Sequence, residues 1–160
     1  MASVNEVAAK LTQQAADKLV TNLNAMPADK HQWKPLEQGR TAQHQILECV
    51  VINGMAAQIL RDKAFPSMEG ADWGQVFAKA AAENDTPEKL MASFTKATGD
   101  LIAATKAFPQ ASLDDSVMVP FDGSTRTWGE ILFFPYWNMT YHEGQINYIQ
   151  TLYGDNEYHA

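Results

Sequence analysis

The sequence predicts an all-α protein: a four-helix bundle with a short extra helix between its second and third long helices. Three observations carry this reading. Apolar residues recur at three- and four-residue steps through four long segments. Helix-start patterns precede three of those segments. The stretches between them hold proline and glycine, which end helices. Packing the helices together is then the simplest way to bury four apolar faces. At 160 residues the chain fits one domain, 1–160, long enough to build a core without disulfides or a structural metal.

In the first helix Val4, Val7, Leu11, Ala15, Leu19 and Leu23 trace one face. Ser3 and Glu6 stand in capping-box spacing, and Met26-Pro27 ends the segment. A polar connector with Pro35 and Gly39 leads to a second helix over 41–62. Its apolar set, including Ile46, Cys49, Ile52, Met55 and Ile59, is wide, as expected of a central helix. Phe65-Pro66 and Gly70 break the chain before a short helix over 72–82. Thr86 is an N-cap, with Pro87 at the first position of the third long helix, whose inward set includes Leu90, Phe94 and Leu101. Residues 109–126 lose that period; Val117, Val119 and Phe121 alternate before Asp122-Gly123, so a short extended piece is expected. The last helix opens at Thr127 and Glu130 and runs to about Tyr153, before Gly154. Pro135 lies inside it, which predicts a kink or local loosening.

Composition narrows the function. A formal charge of −7 and scattered basic residues argue against a nucleic-acid partner or an anionic membrane surface. No apolar run approaches the roughly 20 residues that a bilayer span needs, and the N-terminus lacks the pattern of a signal peptide. A soluble, cytoplasmic protein is the expectation. The lone Cys49 reads as a buried core thiol.

Four histidines remain to be placed. His31 sits in the polar connector and His159 near the end, where solvation is expected. His44 opens the second helix and His142 lies deep in the fourth. Residues four apart share a helix face, so His44 pairs with Glu48, and Asn138 with His142. If those faces meet, two imidazoles, an amide and a carboxylate converge. Such a set suits zinc or another first-row divalent ion with open positions. The plain alternative is two histidines satisfied by hydrogen bonds within a bundle. Glu143 points about 100° away from His142 and reads as a solvated or dimer-facing charge. Gly144-Gln145 reads as close helix packing and a buried hydrogen bond; Trp137, Tyr141 and Tyr148 read as core or interface.

Two runs extend this. Met26-Pro27, Trp33-Lys34-Pro35 and Gly39-Arg40-Thr41-Ala42-Gln43-His44 resemble the first half of the DinB-like (YfiT-like) family of metal-dependent proteins. The run 138–146, with Tyr141-His142-Glu143-Gly144-Gln145-Ile146, is similar to that family's C-terminal signature, and helix count and length agree over nearly the whole chain. The resemblance implies an up-down-down-up four-helix bundle, often a homodimer, with a three-histidine site for a divalent metal, zinc or nickel foremost. Characterised members include thiol-dependent transferases and isomerases. Position by position, His44 takes the first ligand place and His142 the third, while the second is Asn138. A neutral amide is a weak zinc ligand beside imidazole. Three arrangements stay open: Asn138 completes a weakened site, Glu48 supplies the missing ligand, or the pocket has lost its metal. Two functions follow. One is a metal-dependent hydrolase or thiol transferase acting on a small molecule. The other is a non-catalytic, dimeric small-molecule-binding or stress-associated bundle. No phosphate loop, nucleophile triad or cofactor fingerprint identifies a substrate.

Overall fold

In the computed structural model, which describes residues 2–159, the chain is mostly helical. The elements are α1 (Val4–Ala25), α2 (Ala42–Asp62), α3 (Trp73–Glu83), α4 (Pro87–Ala107), β1 (Ser116–Met118), β2 (Thr125–Thr127), α5 (Trp128–Ile131) and α6 (Phe134–Leu152). Local chemistry sets the helix starts. Ser3 and Glu6 exchange both capping-box bonds at α1. Thr41 accepts from the His44 amide at α2, and Thr86 from the Lys89 amide at α4. α2 ends at Lys63, the one described non-glycine residue with positive φ (49°).

The expected extended piece is an antiparallel hairpin of three residues a side, with Val117 opposite Arg126. Its turn carries Gly123 at φ 70°, beside Asp122, which accepts from the Ser124 amide. The last segment departs from a single kinked helix. It breaks into α5 and α6, and Pro135 falls in the first turn of α6, where its missing N–H costs nothing.

α2 packs against α4 and α6, and α1 against the same two helices. Leu19, Ile46, Phe94, Met139 and Ile146 form one buried cluster; Leu60, Leu101, Phe108, Trp128 and Leu132 form another. Buried amides tie helix ends together. Asn5 Nδ2 donates to the carbonyls of Thr105 (2.9 Å) and Phe108 (2.7 Å), and Gln150 Nε2 donates to the Asn22 carbonyl (3.3 Å). α3 contributes no buried residue and lies against α2. A continuous row of rings links this cover to the interior: His44, Phe77, Trp73, Phe121, Phe65, Trp128 and Phe108, with successive centroids 5.3–6.4 Å apart. No described helix is long and apolar enough to cross a membrane.

Candidate functional site

Glu48 and Cys49 each stand three or four residues from both Gln45 and Ile52, which places the four on one side of α2. Asn138 and His142 share a face of α6 for the same reason. The two faces meet. His142 contacts Gln45 and Glu48, and Asn138 Nδ2 reaches Cys49 Sγ at 3.9 Å, so the helices run in opposite directions here.

His142 is fully buried. Its Nδ1 lies against Oε1 of Gln45 and, at 3.1 Å, Oε1 of Gln145. Both are acceptors, which puts the ring proton on Nδ1, donating to them. Nε2 has no partner but Glu48 Oε1, which stands 3.3 Å from it. In a neutral ring that sets a lone pair against a carboxylate. Such a juxtaposition calls for positive charge between the two atoms, a proton on Nε2 or a bound cation.

Glu48 is also paired with Arg40. Contact with His142 is the main influence holding its carboxyl below the ordinary carboxylate range; burial opposes this, and the charges of His142, Arg40 and His44 reinforce it. His44 is exposed overall, with its ring edge-on to Phe77 at 6.4 Å. Loss of water on that side lowers its pKa first, Arg40 lowers it further, and Glu48 pulls the other way. Burial pushes the Cys49 thiol up, in keeping with an inert core thiol.

The structure therefore brings Glu48 and His142 together, sets Asn138 beside Cys49, and leaves His44 on the shoulder of α2 next to Phe77. Among the described residues, no group of three or more His, Cys, Asp or Glu side chains gathers closely enough to hold a metal ion. The buried Nε2, which has no partner but the Glu48 carboxylate, still fits one, with His142 and Glu48 as donors and His44 one turn before Glu48.

Two participants escape the sequence reading. Gln45 is three residues before Glu48, a spacing that marks a shared face, and Arg40 holds the Glu48 carboxylate from the connector. Other expectations need correction. His31 and His159 are part-buried rather than solvated: the His31 ring lies 3.1 Å from the Met26 carbonyl, and His159 pairs with Asp155 at 2.9 Å. Gly144 faces open space, so it serves no close helix contact in this chain. For Trp137, Tyr141 and Tyr148, read as core or interface, exposure rules out the core alone.

Beside Glu48 and Asn138 opens a cavity of about 680 Å³, bounded by α2, the start of α6, α3 and the hairpin. Compared with protein-family models, curated proteins and solved structures, the chain finds no match.

Proposed function

We propose that the protein is a DinB-like, metal-dependent bundle that acts on a small molecule at the Glu48–His142 centre, as a hydrolase or thiol-dependent transferase. One observation carries this reading: a fully buried imidazole nitrogen faces a carboxylate oxygen 3.3 Å away and has no other partner. A single up-down-down-up four-helix domain is the matching architecture. It is supported by the Asn5 bonds joining the start of α1 to the end of α4, by Gln150 and Asn22 meeting near the ends of α6 and α1, and by the opposed α2 and α6.

The chain's own residues supply most of what such a centre needs. Gln45 and Gln145 hold the Nδ1 proton of His142, which presents Nε2 toward Glu48. Arg40 orients the Glu48 carboxylate. His44 and Asn138 border the pair and are the further donors. The chemistry that zinc or nickel supplies when bound there is a lowered pKa for a water or thiol. The adjoining cavity receives the small molecule. Trp137, Tyr141, Tyr148 and Leu152 form an exposed stripe along α6, which suits a homodimer contact.

A specific observation favours the second reading, a non-catalytic dimeric binding or stress-associated bundle. The Asn138 amide donates toward Cys49 rather than offering its oxygen to His142. Elemental analysis separates the two. Tag-free protein dialysed against zinc or nickel and freed of excess is expected to retain close to one ion per chain. His142→Ala is expected to lose it and Asn138→His to hold it more tightly. A wild type that retains none, while Asn138→His gains one, leaves the binding bundle as the function.

A further inference from the structure

The cavity beside the Glu48–His142 centre has a composition that identifies its occupant. Glu48, Ile52, Met55 and Ile59 line it along α2, over eleven residue steps that rise about 16 Å. Phe134, Trp137 and Asn138 of α6 form the facing wall, and Trp73, Phe77 and Phe121 roof it. These rings are only partly covered by protein; Phe121 is 50% exposed and Trp137 67%. Large aromatic surface on the wall of a concave site is characteristic of small-molecule pockets, and this volume is within their usual range.

Charge on the wall is already matched. Glu48 pairs with Arg40, and Arg126 lies 3.9 Å from Asp122 across the hairpin turn. No unmatched charge faces the middle of the cavity to select an ionic group there. The polar groups at one end, Glu48 and Asn138, adjoin His142.

We infer that this cavity binds the uncharged aromatic body of a small molecule, whose reacting end is turned toward Glu48 and Asn138. The orientation rests on the reading of Glu48–His142 as the reactive centre; the aromatic occupancy does not.

The probes are N-phenylnaphthylamine, which is uncharged, and anilinonaphthalene sulfonate, which carries an anion on a similar ring system. The full chain is titrated with each, before and after treatment with EDTA. The neutral probe is expected to bind saturably, one per chain, with blue-shifted emission, and roughly tenfold more tightly than the sulfonate. EDTA is expected to leave its affinity unchanged. Ile52→Trp, which fills the cavity, is expected to weaken the neutral probe by roughly tenfold or more. Should that variant fail to fold, Phe121→Ala on the exposed hairpin is the second test, with roughly a threefold loss expected. Absence of saturable binding overturns the inference. So does equal affinity for the sulfonate, or unchanged affinity in a folded Ile52→Trp and in Phe121→Ala. Probe affinity that falls as protein concentration drives dimer formation shows the cavity to be covered by a second copy, and also overturns it. Metal uptake is read separately: stoichiometric metal without probe binding sinks only this inference, and probe binding without metal sinks only the metal reading.

Discussion

The interior between the long helices and the layer laid over α2 and α6 are built from different side chains. In the interior, Ala8, Ala15 and Ala16 let α1 approach closely, and Leu19, Ile46, Phe94 and Leu101 are almost wholly removed from water. The covering layer has no buried residue in α3 and one half-exposed ring, Phe121, on the hairpin. An isolated helix of α3's length is marginal in water, so its rings against α2 and the hairpin are what keep it in place. The difference teaches where motion belongs. The interior opens only on global unfolding, while the cover, with few buried contacts, can lift at lower cost and admit a ligand.

Substitutions in the two layers should separate by magnitude. Phe94→Ala, in the interior, is expected to destabilise by about 3–5 kcal/mol, read from urea unfolding. Asn5→Ala strands the Thr105 and Phe108 carbonyls at the end of α4 and should cost about 1–3 kcal/mol by the same measurement. Trp73→Ala, in the cover, is expected to cost about 1 kcal/mol or less while amide exchange in α3 accelerates. A Trp73→Ala loss as large as that of Phe94→Ala would erase the distinction between the layers.

The smallest expected effect is a pH dependence at the seam where the layers meet. The Glu48 carboxyl is held below its ordinary value, so the unfolded chain takes up its proton first as pH falls. Its contribution to stability is therefore complete above the ordinary carboxylate value of 4.5 and is lost as pH drops through the lower folded value. In metal-free protein, Glu48→Gln is expected to flatten that acid limb of the stability curve. An unchanged limb would remove Glu48 from the account.

The helices were readable because their signals are local. Ser3 with Glu6, Thr86 with Pro87, and Thr127 with Glu130 each act within one turn; the first two cap the helices expected of them, and the third caps the short α5 rather than the long last helix. Pro135 marked the right place for the break but not its form, since whether a chain kinks or restarts depends on what Phe133 and Phe134 pack against. The site was half readable. Glu48 lies four residues after His44 and three after Gln45, so spacing alone cannot say which of the two turns inward with it. The register between α2 and α6 decides for Gln45, and that register is a long-range property. The cavity was not readable at all. Its roof comes from α3 and the hairpin, whose positions depend on two connectors without periodic patterning.

The row of rings from His44 to Phe108 has an optical consequence. Trp73 stands in the cover and Trp128 in the interior, with Phe121 and Phe65 between them. Aromatic rings held at fixed angles within about 5–7 Å interact in a defined geometry, and that geometry imposes handedness on their near-ultraviolet transitions. Lifting the cover would cut the row at the Phe121–Phe65 step and leave the Phe65, Trp128 and Phe108 rings packed as before. Seating of the cover thus carries its own dichroic signature, separable from that of the folded interior without any label.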